Sequence, residues 1–137
     1  MTESRYLRSA VEGSTSVGLV TMLYDRLVAD LQRATVAIRQ HDVETRCAQI
    51  KHALLIVQQL EGSLDFENGG PAAKTLADFY SYTRSKMIEA QIKGDATLLE
   101  RVMGHFVEVR GAWQQVDPAI VQAQVPEGER LALSCNV

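Results

Sequence analysis

The sequence has few cysteine, proline and aromatic residues and no excess of positive charge. Its 137 residues include two cysteines, three prolines and 6% aromatic residues. The cysteines, Cys47 and Cys135, lie far apart and make no disulfide framework, so we expect a reducing cytoplasmic environment. The net charge of −3 gives no basic footprint, which argues against nucleic acid as a partner.

Long hydrophobic runs are also missing. No stretch approaches the roughly 18 apolar residues that a membrane-spanning helix needs, and residues 1–10 lack the apolar centre of a signal peptide. We therefore expect no membrane insertion and a cytosolic location. β-branched alternation is nowhere sustained, while 46% of the residues are apolar. This length and pattern predict a single domain of the all-α class.

Four segments carry apolar residues at the spacing of three and four that is typical of packed helices. The first is predicted from about residue 15 to about residue 40, with Ser14 or Thr15 as its N-cap, and Asp42 is the predicted N-cap of the second. Pro71 can start the third helix after the turn at residues 68–70. Gly94 can end that helix and Asp95 can cap the fourth.

Short connections between helices of about 20 residues predict an antiparallel up-down four-helix bundle over residues 15–116. Residues 1–14 are a short N-terminal segment. Residues 117–137 contain Pro118, Pro126 and Gly128, which predict an irregular, loop-like or disordered tail.

The first helix opens with LVTMLYDRLV, residues 19–28, and its apolar arc is wider than one neighbouring helix requires. Either two or three helices surround it, or part of the arc is kept for a partner. Leu23, Leu27 and, on the fourth helix, Trp113 are predicted core residues. Met22, Tyr24 and Val28 lie at the margins of the arc, where a core edge and a binding surface are equally good interpretations.

Nothing in the chain indicates catalysis. An enzymatic bundle of this size would hold metal through Glu-x-x-His pairs, but the residues three positions before His41, His52 and His105 are Ile38, Gln49 and Val102. Cys47 falls on an apolar face and is predicted to be a buried, inert thiol. The loop ENGGPAAK lacks the phosphate-loop pattern. We expect no enzyme, no metal and no cofactor.

Four stretches, in this order and spacing, resemble the flagellar secretion chaperone family FliS. They are LVTMLYDRLV, SLDFENGG, LADFYSYTRSKMIEAQIKGD and VRGAWQQV, and the similarity covers about residues 6–116. The family's usual motifs match Met22 to Asp25, Leu64 to Gly70, and Ala112-Trp113, and its common N-terminal tyrosine matches Tyr6.

The chain departs from that family in three places. Arg26 stands where the family usually has glycine, so the local groove is expected to differ. Ser16-Val17 replaces the usual Ser-Pro, with Thr15 aligned to that serine. The tail after Pro118 has no counterpart.

The resemblance implies a cytoplasmic export chaperone. Such a protein binds the C-terminal segment of flagellin, prevents its premature polymerisation and delivers it to the flagellar type III export apparatus, whose gate components are further candidate partners. A bundle with surplus apolar arcs can supply helix-in-groove sites for this client. The candidate client-binding residues are Tyr6, Leu7, Leu19, Met22, Tyr24 and Val28. Residues 1–14 are a candidate cover for the client groove, anchored by Tyr6 and Leu7.

A second interpretation needs no client. The surplus apolar face could close a homodimer of a purely structural, self-associating bundle. The first interpretation predicts a monomer or a weak homodimer that responds to flagellin. The second predicts a stable dimer that does not.

Overall fold

The computed structural model describes residues 16–115, which form four α-helices and, within that range, no β-strand. The helices are α1 (Ser16–Arg39), α2 (Val43–Gly62), α3 (Phe66–Lys93) and α4 (Ala96–Gln114). Helices α1 and α3 each pack against both α2 and α4, which closes a ring of four helices. The predicted all-α four-helix bundle is confirmed. The predicted caps Ser14 and Thr15, the N-terminal segment and the tail lie outside the described residues.

Aspartate side chains begin three of the helices. Asp42 accepts a hydrogen bond from the Thr45 backbone N–H at 3.1 Å, and Asp95 accepts one from Leu98 at 3.0 Å. These two caps are the predicted ones. Each satisfies a backbone donor that the first helical turn leaves without a partner.

Pro71 starts the long part of the third helix, as predicted, but a short helical turn from Phe66 that was not predicted precedes it. Asp65 caps this extra turn by accepting backbone hydrogen bonds from Glu67 and Asn68, both at 3.1 Å. The turn then breaks at Gly70, whose φ of 52° and ψ of −131° are not helical. Because Gly70 has no Cβ, it can adopt this conformation before Pro71 starts the long part of α3.

The connection between α1 and α2 contains a residue with an unusual backbone conformation. His41 has a φ of 58°. Its N–H donates to the Ile38 carbonyl at 3.1 Å, and the Asp42 N–H donates to the Ala37 carbonyl at 2.9 Å. This pair of bonds is a Schellman motif, in which the left-handed position normally belongs to glycine. Gly94, with a φ of 63°, fills the corresponding position after α3.

An aromatic cluster joins α1, α3 and α4 inside the bundle. The hydroxyls of Tyr24 and Tyr80 hydrogen-bond at 2.7 Å. The Tyr24 ring packs edge-on against Phe106 with centroids 5.9 Å apart, and Phe79 meets Phe106 at 5.2 Å. Since Tyr24 and Tyr80 lie on α1 and α3, this hydrogen bond spans the diagonal of the bundle.

A polar network joins α1 to α2. The Asp30 side chain is buried, and its carboxylate accepts a hydrogen bond from Arg33 at 2.7 Å and pairs with Nδ1 of His52. Arg33 also donates to the Gln49 side chain at 3.0 Å. The buried carboxylate is therefore fully engaged by its own helix and by α2.

The two ends of the described chain lie at the same end of the bundle. Arg110, near the end of α4, donates to the Asp25 carboxylate, in the first half of α1, at 2.8 Å. The junction between α2 and α3 lies at this end too, because neighbouring helices run antiparallel.

Candidate functional site

The predicted core residues of α1 and α4 are confirmed. Leu23 and Leu27 are buried, and so is Trp113. The wide apolar arc of α1 follows from its neighbours, since α1 packs against α2 and α4 and also reaches α3 through the Tyr24–Tyr80 hydrogen bond. Of the two explanations for that arc, surrounding helices account for most of it.

Two candidate client-binding residues are buried. Tyr24 has 0% exposed surface, so of its two open interpretations, core residue and binding surface, the structure gives the core. The reason is the diagonal contact with Tyr80, which a single-helix projection does not contain. Leu19 is buried in the same core. Neither side chain offers surface to a client while the bundle keeps this packing.

The other candidates divide into two groups. Met22 and Val28 are half-buried and pack against the core, so both retain surface on α1. Tyr6 and Leu7 lie outside the described residues.

Arg26 is exposed, so no described helix packs closely against the position where the family usually has glycine.

A further apolar surface lies between α2 and α3. An open groove of about 520 Å³ separates these helices. We call it the α2–α3 groove. Its lining residues are Cys47, Lys51, Leu54, Leu55, Gln58, Arg84, Ile88 and Gln91. Side chains that pack two helices together are normally buried, but Leu55 is 53% exposed and Ile88 is 42% exposed.

The groove extends along both helices beyond these residues. On α2, Val43 precedes Cys47 by four residues. On α3, Ile92 follows Ile88 by four residues. Both Val43 and Ile92 are exposed. Residues four apart lie on the same face of a helix. The row on α2 from Val43 to Leu55, which is apolar except for Lys51, is therefore roughly 18 Å long, at 1.5 Å per residue.

Two cations lie in the groove. Arg84 pairs with the Glu61 carboxylate, and Lys51 forms no ion pair with another residue of the described range. The groove thus combines an apolar floor with positive charge. Such a surface fits an amphipathic segment with apolar and acidic residues.

Cys47 belongs to this groove rather than to the core. It is only partly buried, so the prediction of a buried thiol is wrong. Its neighbours Ile50 and Val57 on α2 are buried, because they face α1 and the centre of the bundle. Cys47 faces the sparser interface with α3, where the groove leaves it accessible.

The described residues hold no cluster suited to metal. Within residues 16–115, no three histidine, cysteine, aspartate or glutamate side chains approach closely enough to hold an ion. His41, His52 and His105 are exposed. No helix in this range is long and apolar enough to cross a membrane.

The buried tyrosines Tyr24 and Tyr80 both have raised pKa values. Burial raises the pKa of Tyr24 to about 12, against smaller opposing effects of Tyr80 and Trp113. Burial also raises the pKa of Tyr80, with the Tyr24 and Glu61 charges acting in the same direction. Trp113 lies near Tyr24, but its indole N–H makes no hydrogen bond of normal geometry with a described residue. These three side chains are buried in the core.

Comparison with known proteins supports one family. The sequence-family model described as flagellar protein FliS matches residues 1–120 of this chain. Flagellar secretion chaperone FliS of Salmonella typhimurium is 31% identical over 113 residues, covering 82% of this chain and 84% of that protein. The Escherichia coli K12 protein of the same name is 26% identical, with 87% and 90% covered, and that of Bacillus subtilis is 27% identical, with 80% and 81% covered. The chain belongs to the FliS family of flagellar proteins.

Proposed function

We propose that this chain is an export chaperone that binds the C-terminal segment of flagellin in the cytosol. It keeps that segment from polymerising and delivers it to the flagellar type III export apparatus. Three relatives that match most of this chain are flagellar secretion chaperones, and the resemblance of its motifs supplies flagellin as the client. Binding and release require no chemistry, so the proposal includes no catalytic residue, metal or cofactor.

The α2–α3 groove is the observation that carries the proposal. A client helix with apolar residues three and four positions apart would bury the exposed parts of Leu55 and Ile88. Met22 and Val28 on α1 stay in the proposed site as a second contact surface. A long client could engage both surfaces, and its ordering would offset part of the gain from apolar burial.

A pair of charge substitutions tests the groove. Fully burying a leucine is worth about 1.5–3 kcal/mol, so covering the exposed half of Leu55 contributes about 1 kcal/mol. Replacing it with glutamate removes that term and places an unpaired charge against the client, at a further cost of about 1–3 kcal/mol. We expect Leu55→Glu and Ile88→Glu each to weaken binding of a labelled flagellin C-terminal peptide at least tenfold.

Val107→Glu is the matched control. Val107 is exposed and apolar like Leu55 and Ile88, but it lies on α4, outside the α2–α3 groove. Fluorescence polarisation should give this variant an affinity within about threefold of the parent, a difference under 1 kcal/mol. Equal losses in all three variants would contradict a groove-specific site.

The client itself needs a separate test. Full-length flagellin should co-purify with the chain, whereas flagellin without its C-terminal segment should not. Size-exclusion chromatography with light scattering should show a complex that forms only with the intact C-terminus. A stable dimer that ignores both flagellins would instead support the self-associating bundle.

A further inference from the structure

The apolar strip of the α2–α3 groove is long for a surface that faces water. Val43, Leu55, Ile88 and Ile92 are half of the large apolar residues that are exposed among the described ones. All four lie on the rows that line the groove. Exposed apolar surface concentrated along one groove is usually covered by a partner or by another part of the chain.

The sequence outside the described range offers one segment of suitable chemistry. Residues 117–137 contain the apolar groups AIV, AQV and LAL, together with three acidic residues and one basic residue. Of the two groove cations, Arg84 is paired with Glu61, whereas Lys51 has no ion pair with another described residue and is available to an acidic segment. Residues 1–14 contain two acidic and two basic residues and so have no matching net charge. Charge complementarity therefore favours the C-terminal segment over the N-terminal one.

The C-terminal segment is also long enough. A chain of 21 residues spans up to about 70 Å when extended, at 3.3–3.6 Å per residue. Helix α2, with 20 residues, is about 30 Å long. The segment follows α4, whose end lies at the same end of the bundle as the α2–α3 junction. Every part of the groove is within its reach.

We propose that residues 117–137 dock in the α2–α3 groove of their own chain and occupy it until a client displaces them. The family model ends at residue 120, so most of this segment is an addition to the part shared with the family. Docking depends only on the groove and the segment. The displacement step rests on the proposed function.

The two cysteines of the chain provide a direct test. Cys47 lines the groove and Cys135 lies near the end of the segment. Diamide can take two electrons and two protons from two thiols, which joins them as a disulfide while diamide becomes the hydrazine. At low protein concentration, docking predicts rapid formation of an intrachain Cys47–Cys135 bond, identified by mass spectrometry of the linked peptides.

The control moves the bundle cysteine to α4, in the double variant Cys47→Ser, Val107→Cys. Position 107 lies about two helical turns before the end of α4, so an undocked segment would meet it at least as easily. Rates are corrected for the reactivity of each thiol with iodoacetamide in chains that end at residue 116. Docking predicts at least tenfold faster crosslinking through Cys47. Equal rates, or a faster control, would overturn it.

Measurements of peptide binding distinguish a failure of the docking proposal from a failure of the proposed chaperone function. Only the displacement of residues 117–137 by a client rests on that function. If the segment occupies the groove two-thirds of the time, ending the chain at residue 116 should tighten peptide binding about threefold. Fast crosslinking without any peptide binding would refute the proposed function and leave docking supported. Peptide binding that depends on Leu55, with no preference for Cys47, would refute docking and leave the function supported.

Discussion

The buried tyrosine pair predicts a specific loss of stability in alkali. A tyrosine in an unfolded chain ionises near pH 10, whereas the pKa of folded Tyr24 is about 12. Between these values the unfolded state releases its proton first, so the free energy of unfolding falls as pH rises. The contribution is fully present below pH 10 and is lost as the pH approaches 12.

The size of the effect follows from the shift. Two pKa units correspond to about 2.7 kcal/mol, and roughly half of this is lost by pH 11. Tyr24→Phe removes the ionisable group but also leaves the Tyr80 hydroxyl without its partner, at a cost of about 1 kcal/mol. We therefore expect Tyr24→Phe to be about 1 kcal/mol less stable than the parent at pH 8 and about equally stable at pH 11.

Guanidinium unfolding at four pH values from 8 to 11 measures this directly. Tyr82→Phe is the matched control, because Tyr82 lies on α3 but is exposed. That variant should follow the parent at every pH. If the difference between Tyr24→Phe and the parent stays constant from pH 8 to 11, burial of the Tyr24 hydroxyl does not control its ionisation and the reasoning fails.

Three further predictions concern the bundle and its ends. His41→Gly should raise the free energy of unfolding by about 0.5–1 kcal/mol, because glycine adopts the left-handed position without the steric cost of a Cβ; an unchanged or lower thermal midpoint would contradict this. Trp113→Ala should cost about 3–5 kcal/mol in denaturant unfolding, as expected for a buried aromatic residue, and a loss below 1 kcal/mol would place the indole outside the core. Deleting residues 1–14 should leave helical circular dichroism unchanged but raise ANS fluorescence, since the segment is predicted to cover apolar surface; unchanged dye binding and unchanged amide exchange along α1 would show that it covers nothing.

Features set by local chemistry were predictable from the sequence. Asp42 and Asp95 cap their helices because an aspartate before an apolar-periodic segment can reach the backbone donors of the first turn. Gly94 ends α3 for a similarly local reason. The capped turn before Gly70 was missed, because a glycine pair followed by proline indicates a break without showing that a helical turn fits ahead of it.

Features that depend on three-dimensional partners were not predictable. Tyr24 lies at the edge of a helical projection, but its burial comes from Tyr80 on the diagonal helix, 56 residues away. Cys47 and Leu54 continue the apolar spacing of α2, which gives no sign that α3 leaves them only partly covered. The α2–α3 groove therefore became visible only when the relative placement of the two helices was known.

The Asp30 network also restricts how far α1 and α2 can slide past each other. Rows of leucine, isoleucine and valine repeat with every helical turn, so apolar packing alone tolerates a shift of one turn, about 5.4 Å. Such a shift would separate the buried Asp30 carboxylate from His52 and carry Gln49 away from Arg33. Asp30 would keep its ion pair with Arg33 on the same helix but lose the hydrogen bond to His52, and a buried polar group that loses a partner costs about 1–3 kcal/mol. One polar contact thus selects a single register for the two helices whose own packing would otherwise permit several.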